Sequence, residues 1–154
     1  MITNQYDPTL ETPARWFHRM VTMGAMKKFS DFIIITPEMA QVILDANLDN
    51  RRIVKNELRR CVEAFTNGQF VANGESIIIA DDCLLNDGQH RLSACVETGL
   101  AFESNVVFGV PRDTRFTIDT GTTKSNATLL SMYGVPNSAA ASAAMGCYLL
   151  HHNN

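Results

Sequence analysis

The sequence predicts an α+β protein, a small mixed β-sheet surrounded by helices. Three observations point there. Apolar residues recur at helical spacing in several segments. Short β-branched runs, Phe32-Ile33-Ile34-Ile35 and Ser76-Ile77-Ile78-Ile79 among them, lie between those segments and are bounded by turn residues. The order reads helix, strand, two helices, several short strands, helix, strand, helices, which is not the regular alternation of a doubly wound parallel sheet. Gly-x-Gly-x-x-Gly and the Walker A pattern are both absent, so a dinucleotide-binding fold is disfavoured and a P-loop NTPase is excluded on motif grounds.

Taken in order, Thr12-Pro13 supplies an N-cap followed by proline at the first helical position. It predicts a helix over Pro13–Lys28 with Trp16, Phe17, Met20, Met23 and Ala25 inward and a basic pair, Lys27-Lys28, at its end. Phe32–Ile35 is a strand. Thr36-Pro37 repeats the cap signal and opens a helix to about Asn47, with Met39, Val42, Ile43 and Ala46 on one face. After a loop at residues 47–50, a helix over Arg51–Thr66 carries Ile53, Val54, Leu58, Cys61, Val62 and Phe65 inward. Its other side is lined by Arg51, Arg52, Lys55, Arg59 and Arg60, the only clustered positive charge in the chain. Asn67-Gly68 closes it. Asn73-Gly74 is a hairpin-type dipeptide. Strands follow at Glu75–Ala80 and Cys83–Leu85, with a turn at Asp81-Asp82 between them. A helix ends near Gly99, Ser104–Val110 is a further strand, and Asp113–Ile118 is a short helix. A helix around Leu129–Tyr133 stops at Gly134 and Pro136, and Asn137-Ser138 caps a final alanine-rich helix.

The chain of 154 residues, 45% hydrophobic, is long enough for one ordinary core. Its formal net charge of −3 argues against non-specific DNA binding by the whole surface but not against a local basic groove. Apolar runs such as Ile33-Ile34-Ile35 are far too short to span a bilayer, and the first residues read as no signal peptide, so no membrane partner is expected. Cys61, Cys83, Cys95 and Cys147 form no Cys-x-x-Cys pair, which argues against a zinc site or a disulfide frame in a chain expected in the cytoplasm.

The chemistry is concentrated in Asn86–Val96. Between a strand and a helix stand Asp87, Gly88, Gln89, His90 and Arg91. A polar glycine turn at a helix N-terminus is the arrangement that receives an anion, because backbone N–H groups point outward and the helix dipole favours negative charge. Gly88 permits close approach or positive φ. Gln89 donates and accepts, His90 donates to a phosphate or shuttles a proton, and Arg91 offers a planar fork suited to phosphate. Asp87 reads either as the helix cap or as a ligand for Mg²⁺ beside phosphates. Glu75, at the start of a strand, is a candidate general base or an exposed strand-end acid. A second polar turn, Asp119–Ser125, brings Thr122, Thr123 and Lys124 to a helix start. These could hold phosphate or simply cap the helix.

Asp87-Gly88-Gln89-His90-Arg91-Leu92 after a short hydrophobic strand resembles the signature of the ParB/sulfiredoxin superfamily in its phage-type DGQHR branch. Ile35–Ala40, Asn50-Arg51-Arg52, Asn67–Phe70, Asn73-Gly74-Glu75 and Phe116–Gly121 resemble the same branch, in order, so the likeness runs over residues 33–150. The resemblance implies a core over residues 31–118, preceded by a helical extension (residues 1–30) and followed by a C-terminal helical segment packed on the core (residues 119–154). It implies a nucleotide cradle in which Gly88, Gln89, His90 and Arg91 bind the phosphates of ATP or CTP with Mg²⁺, and in which Asp87 is a metal ligand or proton acceptor. Gln89 stands where sulfiredoxins carry cysteine, so sulfinic acid reduction is disfavoured. The Gly-Glu-Arg-Arg-type motif of the DNA clamps is missing.

Two expectations result. One is a protein that binds a nucleoside triphosphate with Mg²⁺ and transfers or hydrolyses a phosphoryl group in phage or bacterial nucleic-acid metabolism, with Asp87, Glu75 and His90 as catalytic candidates. The other is a DNA-binding module that uses the same cradle and a basic surface at Arg51, Arg52, Lys55 and Arg59. Nuclease action ranks below simple binding because no acidic cluster builds a two-metal site. A homodimer is compatible with the sequence, which does not fix the oligomeric state. The location expected is the cytoplasm, that of the host if the chain is phage-encoded.

Overall fold

A computed structural model describes residues 4–47, 52–117, 127 and 136–152. The chain divides into two compact units, Met1–Ile118 and Asp119–Asn154. The first contains α1 (Pro13–Met26), β1 (Phe29–Ile35), α2 (Pro37–Asp45), α3 (Lys55–Thr66), β2 (Ser76–Ala80), β3 (Leu85–Asp87), α4 (Gln89–Thr98), β4 (Phe102–Val110) and a 3₁₀ turn, Arg112–Thr117. In the second, the described helix is α5 (Ser138–His152). The architecture is α+β, built on a mixed four-stranded sheet in the order β1-β4-β2-β3. β1 runs antiparallel to β4, β2 runs parallel to β4, and β3 returns antiparallel to β2.

The core lies where the helices meet one face of this sheet. Trp16, Met20, Ile33, Ile35, Met39, Ile43, Ile77, Ile79, Leu92, Val106 and Phe108 are completely buried. Each such side chain contributes about 1.5–3 kcal/mol relative to exposure. α1 packs inside the same compact unit as the sheet. The Trp16 indole N–H donates to the Asn4 carbonyl at 2.8 Å, which satisfies the one polar atom that its burial would strand. Just upstream of α1, the side chain of Gln5 reaches the outer edge of β1. Its Nε2 donates to the Phe32 carbonyl at 2.7 Å and its Oε1 accepts from the Ile34 N–H at 3.4 Å.

Several boundaries differ from the sequence expectation. In α1 the last buried position is Gly24, not Met23 or Ala25, both of which are exposed. A Cβ at Gly24 would stand 2.7 Å from that of Phe108, so the helix rests directly on β4. β1 begins at Phe29 and β4 at Phe102, because these strands pair with each other from Phe29↔Phe108 to Ile35↔Phe102. No strand precedes the Asn73-Gly74 turn. Asn73 Oδ1 instead accepts the Glu75 N–H at 3.1 Å and turns the chain into β2. β3 lies at Leu85–Asp87, two residues later than expected. α3 starts at Lys55, so Arg52 lies outside it, and Ile53 and Val54 are 40% and 42% exposed instead of inward. Among the described residues, no helix is long and apolar enough to cross a membrane.

Candidate functional site

The β2–β3 hairpin delivers the chain to the start of α4. Its turn is held by Asp82, whose Oδ1 accepts the Leu84 N–H at 3.1 Å. Asp87 closes β3 in register with Ile78. Asp87 is therefore not the cap of α4. The cap is Gly88, at φ 107° in the left-handed region. A side chain would be strained there, and a Cβ would stand 3.0 Å from Ile77 Cγ1. β3 and α4 can join so tightly only through glycine.

The three side chains that follow are each turned to a partner within the protein. Gln89 is buried and its Oε1 accepts from Asn47 Nδ2 at 3.2 Å. Arg91 spans from α4 to the start of β2, donating from Nη1 to the Glu75 carbonyl and from Nη2 to the Ser76 carbonyl, both at 2.8 Å. Its Nη2 also lies 3.7 Å from Asp87 Oδ2, one helical turn back. The Arg91 fork thus grips backbone oxygens rather than standing open. The Glu75 carbonyl is further met by the Ser104 hydroxyl at 3.3 Å, and the Ser76 hydroxyl by Asn105 Nδ2 at 2.8 Å. His90 crosses to α3, where its Nε2 accepts the Val54 N–H at 3.0 Å and lies 3.4 Å from Glu57 Oε2.

That last contact brings two helix N-termini together. Val54 caps α3 and Gly88 caps α4, and neither end has a side-chain cap hydrogen bond. Each helix start carries about half a positive charge from its aligned peptides and exposes N–H groups that lack an intrahelical acceptor. Arg52 and Lys55 flank Val54 and are exposed, as are Arg59 and Arg60 further along α3. Arg59 is loosely paired with Glu63 at 3.9 Å, a surface contact worth little. Glu57 in the first turn of α3 is the local counterweight.

The charges around this point register on Cys61, a half-buried residue of α3. Burial pushes its thiol above the ordinary value, Arg91 pulls it down, and Glu57 and Glu75 push it up. Arg91, Glu57 and Glu75 therefore share one electrostatic neighbourhood. The Glu75 side chain is exposed, and that of Asp87 is 30% exposed.

Of the residues singled out in the sequence, the structure brings Asp87, Gly88, Gln89, His90 and Arg91 together, sets the backbone of Glu75 against Arg91, and places Arg52 and Lys55 beside the α3 cap. Arg51, Thr122, Thr123 and Lys124 lie outside the described residues. Sequence reasoning missed Asn47, Val54, Glu57 and Ser104. It also missed the Arg112 anchor, whose Nη1 donates to the Leu85 carbonyl at 2.6 Å and to Asn86 Oδ1 at 2.9 Å. Of these only Glu57 carried a signal, an acid three residues after the cap. Among the described residues, no group of three or more His, Cys, Asp or Glu is placed to hold a metal ion. No family model, no curated protein and no solved structure matches the chain.

Proposed function

We propose that the protein binds a nucleoside triphosphate, its phosphates seated where the N-termini of α3 and α4 converge. One observation carries the reading: two helix starts without side-chain caps meet across a 3.0 Å contact, with Arg52 and Lys55 alongside. Two positive helix ends repel each other, and a bound polyanion offsets that repulsion while accepting their N–H groups. In this reading the phosphates are received by backbone N–H groups and by the flanking cations. Gln89, His90 and Arg91 hold the two helix starts and β2 in register rather than touching the ligand.

A magnesium ion fits the arrangement, because magnesium beside phosphates needs only one or two protein carboxylates and Asp87 presents a partly exposed one at the end of β3. When bound, the ion would neutralise phosphate charge. The reading extends to transfer or hydrolysis of a phosphoryl group, with exposed Glu75 as the base toward an acceptor hydroxyl or water. ATP and CTP are the first ligands to test. Calorimetric titration with each, with and without Mg²⁺, should show saturable binding that inorganic triphosphate competes away. Absence of binding by ATP, CTP, GTP and ADP alike would overturn the proposal.

A second reading is favoured by the exposed cations Lys55, Arg59 and Arg60 on α3. They suit the phosphate backbone of DNA, in which case affinity falls steeply as salt rises and falls further when Lys55 and Arg59 are neutralised. A flat salt response would remove this reading.

A further inference from the structure

We infer that His90 is a protonation-dependent latch between α4 and α3. Its Nε2 faces a donor and an acceptor at once, the Val54 N–H at 3.0 Å and the Glu57 carboxylate at 3.4 Å. One imidazole nitrogen serves only one of them. Unprotonated, it offers a lone pair to the N–H; protonated, it offers a proton to the carboxylate. The two α3 groups are themselves natural partners. Val54 is the cap residue and Glu57 stands at the third helical position, from which an acidic side chain commonly reaches back to the N–H of the cap. In the structure that N–H has been taken by His90.

Protonation of His90 reverses the pairing. The imidazolium releases Val54 and donates to Glu57, so the first turn of α3 loses one link to α4 and gains another. The His90 side chain is 12% exposed and that of Glu57 is 47% exposed, so the histidine sits deeper in the protein than its carboxylate neighbour. Among the described residues, the titratable and charged groups around the latch include Glu57 and Cys61 from α3 and Arg91 from α4, the latter committed to the Glu75 and Ser76 carbonyls. Just past the end of α2 the neutral amide of Asn47 is held at Gln89. Arg52 and Lys55 flank Val54 along the chain.

The latch can be read in the protein without any ligand, which separates it from the nucleotide proposal. The test is a nitrogen-15 NMR titration of the whole chain over about pH 5–8, following the Val54 amide and the ring nitrogens of His90. At the alkaline end Nε2 should carry the lone pair. On acidification the Val54 amide should shift and lose exchange protection with the same midpoint as the His90 ring. Glu57→Gln should move both midpoints to lower pH, because the imidazolium loses its carboxylate. A Val54 amide that stays put while His90 titrates, a proton on Nε2 at the alkaline end, or an unchanged midpoint in Glu57→Gln would each overturn the inference.

Discussion

The four helices of the first unit begin in two different ways. α1 and α2 open on Thr-Pro. Thr12 Oγ1 accepts the Arg15 N–H at 3.3 Å and Thr36 Oγ1 accepts the Met39 N–H at 3.4 Å, with proline at the first helical position of each. α3 and α4 open on Val54 and Gly88, without side-chain caps and touching through His90. A side-chain cap is worth about 1 kcal/mol, and it consumes an N–H that an external acceptor would otherwise meet. The capped pair is finished by its own sequence. The uncapped pair forgoes that stability where the two helix starts are joined through His90.

The contrast can be broken or sharpened by substitution. The largest effect should come from Arg91→Ala, which removes two charge-assisted bonds to β2. A loss of about 3 kcal/mol in urea denaturation is expected. A loss below about 1 kcal/mol would show that the fork does not brace the helix start. Next, Lys55→Glu should weaken nucleotide binding about tenfold, some 1.4 kcal/mol, by calorimetry, while the same change at Lys28, far along the chain from the uncapped ends, should leave it unchanged. Thr36→Ala should cost about 1 kcal/mol of stability and no affinity. Val54→Ser should do the reverse, adding about 0.5–1 kcal/mol by capping α3 while weakening the ligand. The last expected effect concerns Cys95, whose ionisation matters only at alkaline pH. Burial pushes its thiol from 9.0 up to about 12, so the fold favours the neutral form. That stability is complete below pH 9 and is lost as pH rises toward 12. Cys95→Ser should flatten the alkaline decline of the denaturation midpoint while lowering the midpoint by a similar amount at every pH, because a hydroxyl is costlier to bury than a thiol.

How far the sequence reached follows from which interactions are local. The starts of α1 and α2 were legible because cap, proline and first turn lie within a few residues. The start of α3 was not, since Ile53 and Val54 continue the apolar period although they stay exposed. Asp87 looked the better cap for α4 on side-chain chemistry. Its pairing with Ile78 ends β3 there and hands the cap to glycine, a consequence of sheet register that no local window contains. Arg91 belongs to the polar cluster that the sequence singles out, but its partners are carbonyls fifteen and sixteen residues upstream, at the start of β2. The polar cluster was legible as a cluster. The division between groups that brace and groups that stay outward was not, because it is set by β2, α3 and Asn47.

The amide of Gln5 has a consequence for how copies of this chain meet. β1 is a border of the sheet, and Phe32 and Ile34 on it are 49% and 56% exposed. An apolar border strand with idle peptide groups is a template on which another strand can grow. Gln5 engages the Phe32 carbonyl and the Ile34 N–H with a side-chain amide, which has the same donor and acceptor as a peptide group but no chain to continue it. The sheet therefore ends in a group that mimics the next strand without permitting one. Two molecules joining through this border must first evict the glutamine from each.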